Sequence, residues 1–176
     1  MNAQMLMMIV QHTPAWVWGL LAALLALGLS QTRTQQVSEG RLRLLPLAFV
    51  GLGVWGTLSA FGWHSGVALA WAGSFVLSYR LVRGSGWPGA ARYVPAQQGF
   101  HVPGSWLPLV LMMAIFLLKY AVGVTLSMQP QLAQTADFAI AVSAAYGALS
   151  AVFMGRARNI LARAPAHAGA AATLAA

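Results

Sequence analysis

Apolar residues gather into five blocks along the chain, at about 14–30, 44–61, 66–82, 105–126 and 132–154, and polar residues fall mostly between them. Each block is close to the ~20 residues with which a helix crosses ~30 Å of hydrocarbon. Thr13 before Pro14 gives the first block a helix start. Threonine caps well, and proline's missing N–H is not needed at the first helical position. Trp16 and Trp18 then fall where an aromatic belt would lie. Met5 to Val10 either prolongs this helix outward or lies along the interface. Only Gly62 to Ser65 separates the second block from the third, which predicts an antiparallel hairpin. The fold class that follows is an all-α membrane protein. It is a polytopic bundle of five transmembrane helices over residues 1–163, with a disordered, uncharged tail at 164–176.

The connections orient this bundle. Arg33, Arg41 and Arg43 lie between blocks one and two, and Arg80, Arg83 and Arg92 between three and four. Arg156, Arg158 and Arg163 follow the fifth. The N-terminal stretch, the 62–65 turn and the 127–136 loop carry no Lys or Arg. Every second connection is therefore basic. Under the positive-inside rule this predicts an N-terminus outside and a cytoplasmic C-terminus.

Composition agrees with the pattern. The chain is 59% hydrophobic and 7% charged, where a soluble domain would carry roughly 25% charged residues. A net charge of +8 raises nucleic-acid binding as a possibility, yet all nine arginines sit at or beyond the ends of apolar segments. Membrane topology accounts for that placement, and no nucleic-acid partner is expected. The absence of cysteine excludes disulfides, thiolate metal sites and cysteine nucleophiles. No Lys or Arg precedes the first apolar run, so no cleavable signal peptide is expected and the first helix stays in the protein.

The connection from Gly84 to Gly104 is rich in glycine and proline. Within it, Arg92-Tyr93-Val94-Pro95 and Phe100-His101-Val102-Pro103 flank Ala96-Gln97-Gln98-Gly99 as a possible small hairpin, but the prolines restrict pairing to edges. A plain ordered loop is the expectation. Small residues recur every fourth position at Gly66, Ala70, Ser74 and Ser78 in block three. They recur again at Ala139, Ser143, Gly147, Ala151 and Gly155 in block five. Such stripes let helix backbones approach closely where lipid offers no hydrophobic drive, and they predict helix–helix contacts within the monomer. Leu-Pro-Leu opens both block two and block four (45–47 and 107–109). Two parallel hairpins, two–three and four–five, would fit that repeat.

The segments His12-Thr13-Pro14-Ala15-Trp16-Val17-Trp18, Val102-Pro103-Gly104-Ser105-Trp106-Leu107-Pro108-Leu109 and Lys119-Tyr120 resemble a family of small uncharacterised proteobacterial inner-membrane proteins, a domain of unknown function. The resemblance covers most of residues 12–160. It implies a bacterial inner membrane and no particular chemistry.

Candidate chemistry centres on Lys119, the one cation inside an apolar block. A lysine near the centre of a spanning helix costs about 2.5–3.5 kcal/mol on insertion scales unless water or a partner compensates it. The chain has two acids. Glu39 lies on the basic side, and Asp137 lies at the outer end. If the fifth helix starts near Pro130, Asp137 is ~10 Å deep and level with Lys119. A Lys119–Asp137 pair, direct or through water, is the resulting expectation, as a structural link between helices four and five or as a site for an anionic substrate. His12 and His64 are weaker candidates at the outer face. Haem or zinc would need them close together with further ligands, and no HExxH spacing exists. Ordinary hydrogen bonds are their expected role, and no metal or cofactor is expected. Trp55 and Trp71 are expected to pack inside the bundle, with Trp63 and Trp106 at the belt.

No catalytic constellation is found, so the expectation is a non-enzymatic membrane assembly or accessory protein. Its partners would be the lipid bilayer and a membrane-protein partner or a second copy. The alternative is a small transporter or channel subunit that uses the Lys119–Asp137 site.

Overall fold

The computed structural model of the chain describes Met7 and residues 11–62, 64–87, 91–94 and 99–163. Trp63, residues 95–98 and the expected tail after 163 lie outside the described residues. Among the described residues, these elements follow one another: α1 (Ala15–Ser30), β1 (Gln35–Ser38), α2 (Glu39–Phe61), α3 (Ser65–Ser85), β2 (Arg92–Val94), β3 (Gly99–Val102), α4 (Leu107–Met128) and α5 (Ala136–Leu161). A 3₁₀ turn at Pro130–Gln134 leads into α5. The helices α2, α3, α4 and α5 are long and apolar enough to cross a membrane, and α1 is a shorter apolar helix.

The helix limits have local causes. The Ser38 side chain caps α2 by accepting from the Arg41 amide, so the helix begins well before the apolar block does. Glu39 and Arg43 form an i, i+4 ion pair at 3.1 Å on that first turn. Pro46 sits inside α2, where it withdraws one backbone donor. The helix stops at Gly62, whose φ of 71° a side chain would resist. Helix α3 stops at Gly86, also left-handed. Pro108 stands in the first turn of α4, where its missing N–H does no harm. Thr135 takes an extended backbone before Ala136, so α5 starts there and not at Pro130.

Helix α5 is the axis of the bundle. It packs most closely on α3 and next on α2, whereas α1 packs on α4. The packing does not follow the two expected hairpins. α2 and α3 run antiparallel but lean on α5 more than on each other, and α5 touches α4 far less than α3. The reason lies in the small-residue stripe of α5, whose members Ala139, Ser143, Gly147, Ala151 and Gly155 are all buried. A Cβ added at Gly147 would collide with the Trp71 carbonyl and the Ser74 hydroxyl. One at Gly155 would meet Val82 at 2.8 Å. On the other side, a Cβ at Gly53 of α2 would come 2.6 Å from Ser150 Oγ, and Phe49 stacks on Phe153 at 4.5 Å. Close backbone approach is thus spent on α5 from two directions.

The flanks left outside are apolar. Leu44, Leu47 and Leu52 on α2 are exposed, as are Leu69, Leu77 and Leu81 on α3. Trp55 joins them at 69% exposure, not packed inside as its depth suggested. Its side of α2 faces away from α5, whereas Gly53, Gly56 and Thr57 face inward. Trp71 does pack inward, against the cluster of Phe61, Val122 and Tyr146.

At the end that carries the basic connections, the chain builds a small sheet. Its order is β1-β3-β2, antiparallel throughout, with Val37 opposite Phe100 and Tyr93 opposite Phe100 on the other side. Phe100 is fully buried among Val37, Leu42, Val102 and Ile160 of α5. A hairpin therefore replaces the expected plain loop, and a third strand from the first connection joins it. The Gln31 carbonyl accepts from the Ser105 amide at 3.0 Å, and Gly104 lies so close to the Thr32 carbonyl that a Cβ has no room. Asn159 then ties the end of α3 to α5, donating to the Val82 and Trp87 carbonyls at 2.9 Å and accepting from Arg83 at 3.0 Å.

A cavity beside Lys119

Helices α1 and α4 meet tightly at one end and part at the other. Near the sheet, Gly28 lies against Leu109 so closely that a Cβ there would overlap it. Toward the opposite end the two helices flank an open cavity of about 620 Å³. It falls within the ~300–1,000 Å³ of small-molecule sites. Trp16, Val17, Leu20, Phe116, Val124 and Met128 make its walls apolar. Its polar groups are few: Lys119, Tyr120, Ser127, Thr13 and His12. Tyr120 and Thr13 share a hydrogen bond at 2.7 Å, which pins the entrance of α1 to α4.

Lys119 stands on the thirteenth residue of α4, ~14 Å along the helix from Met128. Its ammonium turns toward α2, where Gly56 leaves it room. A Cβ on Gly56 would lie 3.2 Å from Nζ and 3.9 Å from Cζ of Tyr146. The cation therefore sits where α2, α4 and α5 converge and also borders the α1–α4 cavity. Gly123, one turn further along, has nothing within 4 Å of its Cβ position.

Asp137 is placed elsewhere. It is exposed in the first turn of α5, ~12 Å shallower than Lys119 when each is measured along its own helix. Among the described residues the ion pair is Arg43–Glu39, and a direct Lys119–Asp137 pair is not formed. The 3₁₀ turn at Pro130–Gln134 is the cause, because it holds the start of α5 back to Ala136. Asp137 instead lies at a helix N-terminus, where a carboxylate is favoured by the backbone dipoles.

The two histidines have different settings. His12 is exposed and borders the cavity. His64 follows the α2 terminus, and its Nδ1 lies 3.0 Å from the Phe61 carbonyl. Most hydroxyls within the apolar helices satisfy their own helix, as expected. Thr57 donates to Gly53, Ser143 to Ala139 and Ser74 to Trp71. Among the described residues, no group of three or more His, Cys, Asp or Glu side chains is placed to hold a metal ion.

The sequence reading found the cation but missed the cavity. The signal for it was the run of aromatics and small residues that α1 and α4 turn toward each other, Trp16 and Phe116 with Gly123. An uncharacterised protein of Pasteurella multocida is 36% identical over 70 residues, covering 36% of this chain and 55% of that protein. The chain thus matches about half the length of that relative. No solved structure matches. The model of a family of unknown function (DUF6622) matches residues 1–171, and the chain belongs to that family.

Proposed function

We infer that this is a multi-pass protein of the bacterial inner membrane, non-enzymatic, that holds an amphipathic anion in the α1–α4 cavity as an accessory to other membrane processes. The observation that carries this reading is the cavity itself, apolar over most of its wall with Lys119 at its inner edge. An apolar tail gains from the wall, at roughly 25 cal/mol per Å² removed from water, and an acidic head gains from the ammonium. No carboxylate lines the cavity, so no paired acid and base stand ready for chemistry there. The exposed apolar flanks suit a lipid bilayer and can also seat a membrane-protein partner or a second copy.

A transport reading with a Lys119–Asp137 site has less support, because the two groups lie at different depths along their helices and form no direct pair. The test uses full-length protein in lipid nanodiscs and a conjugated-polyene fatty acid, with energy transfer from tryptophan as the signal. Trp16 lines the cavity and is a suitable donor. Saturable transfer is expected. Lys119→Gln weakens it about tenfold, the scale of one charge-assisted contact. Gly123→Leu abolishes it by filling space that the fold leaves open. Transfer that is unsaturable, or unchanged in both variants, overturns the reading.

A further inference from the structure

A second recess lies at the opposite end of the bundle, beneath the three-stranded sheet. Its volume is about 40 Å³, room for about three water-sized groups. Gln31 at the end of α1, Arg41 in the first turn of α2 and Arg156 near the end of α5 all border it, with Gln35 from β1. Two of these side chains carry a buried donor that the fold leaves unused. Arg156 Nε and Gln31 Nε2 are both shielded from solvent and have no hydrogen-bond partner. Buried donors are nearly always paired, by protein or by something bound.

The charge balance is also incomplete. The chain has two acidic residues, of which Glu39 pairs with Arg43 and Asp137 begins α5 at the far end. Among the described residues, no side-chain carboxylate therefore answers Arg156. Its guanidinium is held from one side by the Trp87 ring at 5.3 Å, a cation–π contact that fixes its plane without neutralising it. Two arginines and a glutamine bordering a recess of that size, with unused buried donors on Arg156 and Gln31 and no acid among the lining residues, match a tetrahedral oxyanion. Arginine's fork suits the oxygens of a phosphate in pairs. The recess also lies among the basic helix ends, at the level where lipid headgroups stand.

We propose that this recess, formed by Gln31, Arg41 and Arg156 under the sheet, binds a phosphoryl group, supplied either by an anionic phospholipid or by free phosphate. The site is independent of the α1–α4 cavity at the other end of the bundle, and the two readings stand or fall separately. The test follows the thermal midpoint of the full-length protein in a zwitterionic detergent. Short-chain phosphatidylglycerol, short-chain phosphatidylcholine and inorganic phosphate are titrated in turn. A saturable rise with phosphatidylglycerol alone assigns the group to a lipid, and a rise with inorganic phosphate as well assigns it to free phosphate.

Arg156→Gln should weaken the apparent affinity about ten- to hundredfold, as for loss of a paired charge-assisted contact. Arg41→Gln stands at the edge of the recess and repeats the test should Arg156→Gln fail to fold. Arg158→Gln, exposed at the same end and outside the recess, should keep the wild-type affinity. The proposal is overturned by a midpoint that responds to neither phosphatidylglycerol nor inorganic phosphate. A response to phosphatidylcholine equal to that for phosphatidylglycerol also overturns it. So does an equal loss in Arg158→Gln, which would mean diffuse attraction by the basic surface.

Discussion

Asn159 accepts from Arg83 and donates to two carbonyls, Val82 in the last turn of α3 and Trp87 just beyond it, from a position only 7% exposed. Replacing it by alanine takes this partner from the Trp87 carbonyl and the Arg83 guanidinium together, while the Val82 carbonyl keeps the Ser85 hydroxyl. Asn159→Ala should lower stability by about 1–3 kcal/mol, read as a fall in the thermal midpoint in detergent. An unchanged midpoint would mean that Arg163, which donates to Gly86 and Ala91, holds the connection by itself. The sequence reading passed over Asn159, because its partners are backbone carbonyls 72 and 77 residues away and leave no mark in the side chains. Lys119 was legible for the opposite reason, as a lone cation in an apolar block announces itself. Its partner was not legible. Where Asp137 sits depends on whether the helix begins at Pro130 or Ala136, and a short 3₁₀ turn decides that. Trp55 shows the same limit, since depth in a bilayer does not say whether a ring faces protein or lipid.

The stripe on α5 is the clearest case of an element whose kind was legible and whose partner was not. Small residues every four positions say that another backbone comes close, and α3 does come close, at Gly147 and Gly155. They do not say which neighbour in sequence it is, and adjacency favoured the hairpins. What the pattern could not carry was the two-sided use of α5, by α3 at Gly147 and by α2 at Ser150. Strand β1 escaped notice because four residues are too few for a period, and its partner β3 lies more than sixty residues on. Gly147→Ala tests the close approach directly. Its Cβ would strike the Trp71 carbonyl, which is backbone and cannot rotate away, so a loss of about 1–3 kcal/mol is expected. Gly73→Ala on α3 is the matched control, with nothing within 4 Å of its Cβ position. It should be neutral, or stabilise by up to ~1 kcal/mol through helix propensity. Equal effects at the two glycines would remove the α3–α5 contact as the organising feature of the bundle.

At the scale of the molecule, the fold gathers charge at one end. Strands β1 and β3 join the first and third connections, and Asn159 and Arg163 bind the end of α5 to the same region. The three basic segments seen in the sequence, around Arg33 to Arg43, Arg80 to Arg92 and Arg156 to Arg163, therefore share one end. The other end holds the 62–64 turn, the 3₁₀ turn and Asp137, with no Lys or Arg in its turns. An asymmetry carried by three connections is a stronger orienting signal than any one of them, because each resists translocation separately. The expected orientation puts the sheet, the phosphoryl recess and the C-terminus in the cytoplasm, and the Lys119 cavity toward the outer leaflet. Fusions in a bacterial host test it. A fluorescent protein joined after Arg163 should glow, and alkaline phosphatase at the same point should be inactive. Phosphatase inserted at the 62–64 turn or at the 3₁₀ turn should be active, since the enzyme matures only after export. The reverse pattern would place nine arginines outside, and the recess would then face the outer leaflet. Mixed activity at the two turns would mean that α2–α3 and α4–α5 do not cross in register. The bundle would then be anchored by fewer spans than its apolar helices permit.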